Sequence, residues 1–413
     1  MKKTLLTFLA ATLLGGSAMA SGYQVALQSN RSTAMANMGV GLRPDPSSIF
    51  FNPGALALMR QNGVQVGANL IYSNIAYQPF ESAKVYRTEN PTGTPFHVYA
   101  AFGPEDSNVK FGLGVYTPFG SSVQWEDNWA GRFSLTSLSL QAIYIQPTVS
   151  FALNENLSVG AGFIYAIGGV NLQRDIQDVY LGGQEYGSAE LDGRASGMGF
   201  NVGVFFKPSE KFSAGINYRS RVDMKIDEGT ATFRKSPLVP DEVIPSETSF
   251  TAELPLPSNL TLGISYQPLD RLTIGAEVMR AQWSAYKALT FNYGQEVGGE
   301  STTTAPRNYE SAFVYRLGAE YGLNEMLNLR IGAYYDETPV QEGYLTAETP
   351  DANTLGLTAG FGVNINENFV VDASFLYINK AQRDNVPRSG LDNPLGTYKS
   401  TAFIPGLSLT YKF

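Results

Sequence analysis

The sequence predicts an all-β protein, a transmembrane antiparallel β-barrel of about fourteen strands with an N-terminal plug in its lumen. Three observations carry this expectation. The chain ends Phe403-Ile404-Pro405-Gly406-Leu407-Ser408-Leu409-Thr410-Tyr411-Lys412-Phe413, where every odd position is apolar or proline and the last residue is aromatic. That is a strand with one greasy face, and such a strand is stable against lipid only in a closed barrel, where every backbone group is paired. Beyond residue 20, no stretch approaches the roughly 18 uninterrupted apolar residues of a membrane helix. The 42 Gly, 23 Tyr and 24 Phe suit tight turns, small lumen-facing positions and aromatic girdles at the two membrane interfaces.

The elements follow in order. Lys2 and Lys3 precede the apolar run Leu5 to Leu14, and Ala18-Met19-Ala20 supplies a small-x-small cleavage site, so residues 1–20 read as a secretory signal peptide. With no Cys to carry a lipid anchor, the expected destination is the bacterial outer membrane. Removal of Lys2 and Lys3 lowers the net charge of −8 by two more, and nothing basic invites nucleic acid. Residues 21–60 do not alternate. They contain Asp45-Pro46-Ser47-Ser48, a helix start, and Asn52-Pro53-Gly54, where proline stops the helix and glycine permits a sharp turn. A compact, small-residue segment of this kind fits the lumen as a plug; a periplasmic tail would carry more charge.

Residues 61–413 read as the barrel. Short polar turns at 103–106, 154–156, 208–210, 268–270, 323–325 and 366–368 alternate with long connections near 79–94, 119–137, 175–190, 227–248, 293–307, 338–353 and 380–397. The short turns face the periplasm and the long loops face outside. Strand phase is legible. Leu157, Val159, Ala161, Phe163, Tyr165 and Ile167 form one face, as do Leu327, Leu329, Ile331, Ala333 and Tyr335, and these faces meet lipid. The same phase sends Arg219, Arg221, Asp223, Glu277, Arg316, Glu320 and Asp372 inward, most simply as a mutually neutralising network between wall and plug.

At this point the residues resemble the FadL family of outer-membrane transporters for long-chain fatty acids and other hydrophobic compounds. The likeness spans nearly the whole mature chain: Ser21-Gly22-Tyr23-Gln24, Asp45-Pro46-Ser47-Ser48 with Phe51-Asn52-Pro53, Thr117-Pro118-Phe119-Gly120 with Trp129-Ala130-Gly131-Arg132-Phe133, Tyr218-Arg219-Ser220, Leu254-Pro255-Leu256-Pro257, Tyr334-Tyr335-Asp336 and Pro350-Asp351. The resemblance implies a hatch whose Asn52, Pro53 and Gly54 touch the ligand, although Gly54 stands where the family has alanine. It also implies a kinked third strand that opens the wall for lateral release into outer-membrane lipid. Gly112 and Gly114, phased inward on Val109 to Tyr116, are the candidates for that lateral gate; making room for the plug is the other reading.

Phe119, Val123, Trp125, Trp129 and Phe133 give the loop after the third strand an aromatic density high for an exposed segment. In the family, ligand is first caught in an extracellular groove, so Phe119, Trp125 and Trp129 are candidate ligand contacts; packing of the loop's own core competes. If the fifth strand keeps its phase, Val170, Leu172 and Arg174 follow one another on its inner face, an apolar lining with one cation that suits an amphipathic acid. The single histidine, His97, at the start of the second strand suits an interface position, and with no Cys and no nucleophile motif the chain offers no metal set, no cofactor site and no catalytic pair. The expectation is a monomeric channel, not an enzyme, for diffusive uptake of long-chain fatty acids first and aromatic or aliphatic hydrocarbons second. The alternative is a general porin for hydrophilic solutes, against which the plug and the aromatic loop argue.

Overall fold

A computed structural model describes residues 22–104, 107–177, 186–388, 391 and 393–413, with the side chain at 186 left aside. The signal peptide expected over residues 1–20 lies outside them. The strands close into a 14-stranded antiparallel barrel. In chain order they are the first (Gly63–Asn69, continued by Tyr72–Pro79), second (Phe96–Phe102), third (Val109–Gln124), fourth (Ser137–Ala152), fifth (Leu157–Gln177), sixth (Tyr186–Ser209) and seventh (Phe212–Arg219, then Val222–Arg234). There follow the eighth (Glu247–Leu256, then Asn259–Leu269), ninth (Leu272–Ala281, then Ala288–Val297), tenth (Glu300–Pro306, then Ala312–Gly322), eleventh (Leu327–Asp336), twelfth (Thr354–Asn364), thirteenth (Phe369–Lys380) and fourteenth (Gly396–Lys412). Each pairs with its sequence neighbour, and the first closes on the last, Gln65 opposite Thr410 and Val66 opposite Leu409. Closure leaves no edge with unpaired backbone in lipid.

The alternation read from sequence is the alternation of the wall. Phe163, Tyr165 and Ile167 are exposed toward lipid while Ile164 and Ala166 are buried, and Leu329 and Ile331 are exposed while Arg330 is buried. Periplasmic turns close by one device repeated three times. The side-chain carbonyls of Asn154, Asn324 and Asn366 each accept two backbone N–H groups, of residues two and three positions on, at 2.8–2.9 Å. This is why Asn opens these turns.

Outside the membrane the structure departs from the expected loops. Residues 186–190, 227–234 and 293–306 are largely strand, because the sheet continues past the lipid belt. On the sixth strand the outward face changes from Phe200 and Met198 to Ser196, Arg194 and Asp192 with no break in pairing to the fifth. A polar outward face at that height is a solvated sheet, which sequence periodicity alone reads as a loop. The seventh to tenth strands are each interrupted near this level, and the interruption at Ser220 and Arg221 reverses the phase. Val222 and Met224 turn inward, so Arg221 and Asp223, expected in the lumen, are on the outer surface, paired with each other.

The plug fills the lower lumen with two single-turn helices, Asn30–Thr33 and Ser48–Phe51, and a 3-10 turn, Pro53–Leu58. Ser47 N donates to Asp45 Oδ1 at 2.8 Å, the start predicted for the second helix. The plug is held from every side by wall side chains. Glu277 Oε2 accepts from the N–H groups of Gly39 and Val40 at 3.0 and 2.9 Å, and Thr358 Oγ1 accepts from Ala36 N and donates to Ala34 O. Gln146 and Arg219 donate at 2.6 Å to the carbonyls of Ile49 and Phe50. Beneath them Arg31 reaches Asp45 and Glu320, and Arg330 reaches Glu320 and Asp372 at 2.6 Å. Charges buried this far from water persist because each is paired.

Wall glycines let the plug backbone lie on the strands. A Cβ on Gly160 would come within 2.3 Å of Pro53 O, one on Gly215 within 2.1 Å of Val40 O, and one on Gly203 within 2.1 Å of Asn52 Oδ1.

Candidate functional site

Above the plug the inner wall turns apolar. The inward faces of the fourth to eighth strands contribute Leu138, Leu140, Ala142, Val170, Leu172, Ala195, Met224, Ile226, Ala252, Leu254 and Leu256 to an apolar cavity. Phe119 of the third strand, Tyr23 of the plug, and Leu289 and Phe291 of the ninth strand complete its sides. The walls offer little besides hydrocarbon and ring, as sites for apolar small molecules do. Two of the residues read from the fifth strand, Val170 and Leu172, are on the lining, as expected from the alternation.

Arg174 is not. It follows the same phase but is exposed above the cavity, opposite Ala189 in register. The cation on the lining is Arg307, at the interruption of the tenth strand, whose Nη2 is 3.1 Å from Glu348 Oε1 on the connection between the eleventh and twelfth strands. Both side chains are nearly buried, and Tyr286, Tyr309 and Tyr23 stand around them. Burial alone would lower the Arg307 pKa, but the Glu348 carboxylate and the phenols beside it raise it beyond the ordinary guanidinium value, so it remains charged. Burial also raises the phenols of Tyr286 and Tyr309, which stay neutral. Arg307 Nε, Glu348 Oε2 and Tyr309 Oη have no hydrogen-bond partner among the described residues, while the Tyr286 phenol lies beside Arg307 and Tyr23. Sequence reading missed this group because its members lie far apart in the chain, on interruptions and a connection where no periodicity applies.

The tryptophans stand elsewhere. Trp125 and Trp129 stack with centroids 4.0 Å apart, Tyr77 meets the edge of Trp129 at 5.5 Å, and Tyr398 closes the cluster. Trp129 is fully buried, so the loop aromatics pack against the first and fourteenth strands and do not line an open groove. Trp125 Nε1 donates to Ala347 O at 3.4 Å, holding the connection that carries Glu348 over the cavity. Of the three aromatic candidates, only Phe119 reaches the lining.

Asn52, Pro53 and Gly54 are buried between plug and wall, off the cavity. Asn52 Nδ2 donates to Val40 O and Val204 O at 3.1 and 3.0 Å, and a Cβ on Gly54 would meet Gly203 O at 2.6 Å. They seat the plug. Gly112 and Gly114 also face it, with Ile49 side-chain atoms 2.7 and 3.0 Å from where their Cβ atoms would be, so the space they leave is filled. The discontinuity of the third strand lies a few residues on. Its pairing with the second strand ends at Tyr116, and the register with the fourth shifts between Tyr116 and Phe119, at Thr117-Pro118. Above that point the free edge is covered by the plug: Val25 N donates to Pro118 O at 2.8 Å and Gly120 N to Tyr23 O at 3.1 Å. His97, expected at an interface, faces inward at the same height, fully buried with its ring 5.7 Å from that of Tyr99.

A closed barrel with a greasy outer belt, a plugged lumen and an apolar chamber above the plug defines the class, an outer-membrane β-barrel transport protein. The chain belongs to the OMPP1/FadL/TodX family of outer membrane transport proteins, whose family model matches residues 11–413. It is 25% identical over 428 residues to the 47 kDa outer membrane protein of Pasteurella multocida, covering 98% of each chain. To a long-chain fatty acid transport protein of Escherichia coli it is 21% identical over 424 residues, covering 91% of this chain and 92% of the relative. Among solved structures, a Pseudomonas aeruginosa FadL homologue superposes with a TM-score of 0.83 at 20% identity, covering 95% of this chain and 100% of that one. The toluene transporter TbuX of Ralstonia pickettii superposes at 0.70 with 18% identity, covering 92% and 97%.

Proposed function

We propose that the protein is a monomeric outer-membrane channel for diffusive uptake of hydrophobic molecules, long-chain fatty acids first and aromatic or aliphatic hydrocarbons second, released sideways into the membrane. The observation that carries this reading is the apolar cavity above the plug, bounded on one side by Tyr23 of the plug and by Phe119 of the third strand. Those two residues lie on either side of the seam where plug, not wall, covers the strand edge. A ligand in the cavity is therefore one seam away from lipid, and displacing Tyr23 to Val25 breaks two backbone hydrogen bonds rather than a barrel ladder. The family and the names of the relatives support a hydrophobic passenger. Both fatty acid and hydrocarbon transporters occur among them.

Binding by the purified protein tests the reading. A long-chain ligand should saturate at one site per chain, and Ala142→Trp, which fills the cavity from the fourth strand, should remove that binding while the barrel still folds. Unchanged affinity in a folded Ala142→Trp protein would show that the cavity is not the ligand site.

A further inference from the structure

We infer that the Arg307–Glu348 pair makes this cavity selective for uncharged ligand heads, so that a fatty acid occupies it in its protonated form. The inference rests on the cavity being the ligand site. Arg307 and Glu348 line it together, 3.1 Å apart, with side chains 5% and 12% exposed. Their charges cancel, so the head of the site is dipolar and not cationic. Among the described residues, one donor, Arg307 Nε, and one acceptor, Glu348 Oε2, remain unmet beside the unmet hydroxyl of Tyr309.

The other charged groups nearby do not change this balance. Glu253, at the rim, is exposed and shared between Arg221 and Lys225 on the outer surface. Asp351, which acts on Tyr309 from the same connection as Glu348, is paired with Lys380 at 3.0 Å. Tyr23, Tyr286 and Tyr309 are held neutral by burial. Arg307 thus faces one carboxylate already and has no second positive partner to offer.

An ionised fatty acid would bring a second carboxylate to a single guanidinium in a space walled by hydrocarbon. Two carboxylates so placed cannot both stay charged, and one of them takes up a proton. A protonated acid meets the site without that conflict. Its carbonyl oxygen accepts from Arg307 Nε, and its hydroxyl donates to Glu348 Oε2. A long-chain alcohol can do the same with one oxygen, whereas a hydrocarbon leaves both groups as they are. Binding of an acid therefore consumes one proton from solution and binding of an alcohol consumes none, so the acid must bind more weakly as pH rises above its own pKa.

The test uses the purified full-length barrel, dodecanoic acid and 1-dodecanol, and the nearly isosteric Glu348→Gln. In the wild type, dodecanoate affinity should fall close to tenfold per unit between about pH 6 and about pH 8, as one-proton linkage requires, while dodecanol affinity stays flat. Glu348→Gln removes the competing carboxylate and keeps a hydrogen-bonding side chain. It should tighten dodecanoate binding at about pH 8 by tenfold or more and flatten its pH dependence, while dodecanol binding, whose strength can change with the lost acceptor charge, stays flat with pH and does not tighten in parallel. Taking variant-to-wild-type ratios at each pH cancels the acid's own partition into detergent. Equal pH dependence in the two proteins, or equal shifts for acid and alcohol in a folded variant, overturns the inference while leaving the cavity a ligand site. Failure of the wild type to bind either compound at either pH overturns the reading of the cavity itself, and the inference with it.

Discussion

Glu277 on the ninth strand and Arg316 on the tenth are register partners whose Oε1 and Nη1 lie 2.9 Å apart, and the other oxygen of Glu277 receives both Gly39 N and Val40 N of the plug. One carboxylate thus ties two wall strands to the plug backbone. Glu277→Ala removes both attachments and leaves Arg316 buried without its counter-charge, a change that costs about 3–5 kcal/mol in comparable buried pairs. The plug should loosen before the barrel opens, because the ladders of the ninth and tenth strands do not depend on this side chain. Single-channel conductance should rise in Glu277→Ala and protease should reach residues 22–60, with Glu277→Gln intermediate. Conductance and cleavage equal to those of the wild type would show that the plug is held without Glu277.

The wall glycines make a second, independent test of the plug's seat. At Gly160 the added methyl of Ala would stand 2.3 Å from Pro53 O, while at Gly322 the nearest atom is 3.5 Å away. Real Cβ atoms essentially never approach a backbone oxygen so closely, so the plug turn must shift in Gly160→Ala. Gly322→Ala should be silent. The readout is protease sensitivity of the plug in barrels that still migrate as folded on unheated gels, and equal sensitivity of the two variants would remove the seating argument.

Sequence reached the barrel, its phase and the periplasmic turns because each depends on local pattern. A period of two on Leu157 to Ile167 and an Asn at three of the six short turns say the same thing in one dimension as in three. It failed where the pattern changes meaning. Ser188 and Glu190 on a continuous strand look like loop because they are polar, and Arg221 and Asp223 look inward because the interruption at Ser220 is invisible to a count. The cavity was half legible: Val170 and Leu172 lie on regular strand, and Phe119, at the register shift of the third strand, stood out only as one of an aromatic cluster. Arg307, Glu348 and Tyr286 come from breaks and connections, where only the folded chain brings a charge pair to the apolar lining. The tryptophans misled for a related reason. An aromatic-rich loop signals burial, and burial here is against Tyr77 and Tyr398 instead of a ligand.

Lipid-facing positions give a prediction of magnitude. Leu262 in the eighth strand is half exposed toward the membrane between Leu260 and Ile264. Leu262→Arg should lower folding stability in vesicles by about 2–4 kcal/mol, as for cations near the midplane of other barrels. On the same strand above the belt, Thr251 is exposed beside the polar Asn292, and Thr251→Arg should change stability by less than about 0.5 kcal/mol. Denaturant titrations in vesicles compare them, and equal costs would mean that the belt has been placed at the wrong height.

The last prediction concerns the seam. Gln24 and Phe119 form an antiparallel bridge flanked by the bonds from Val25 N to Pro118 O and from Gly120 N to Tyr23 O. That pattern marks a non-hydrogen-bonded pair, in which the two Cα atoms lie about 4.5 Å apart, within the span a disulfide bridges. The native chain contains no Cys, so Gln24→Cys with Phe119→Cys introduces one crosslink and no competitor. Oxidised, it fixes the plug strand to the edge of the third strand directly beside the cavity; reduced, it leaves the seam free to part. If passengers leave sideways here, cells carrying the oxidised variant should lose uptake of a labelled long-chain acid while the purified protein still binds ligand, and reduction should restore uptake. The reduced double variant is the reference, since Phe119→Cys itself removes a ring from the lining. Uptake that is unaffected by oxidation would place the exit elsewhere, and a parallel loss of binding would mean that the crosslink closes the chamber and not the way out.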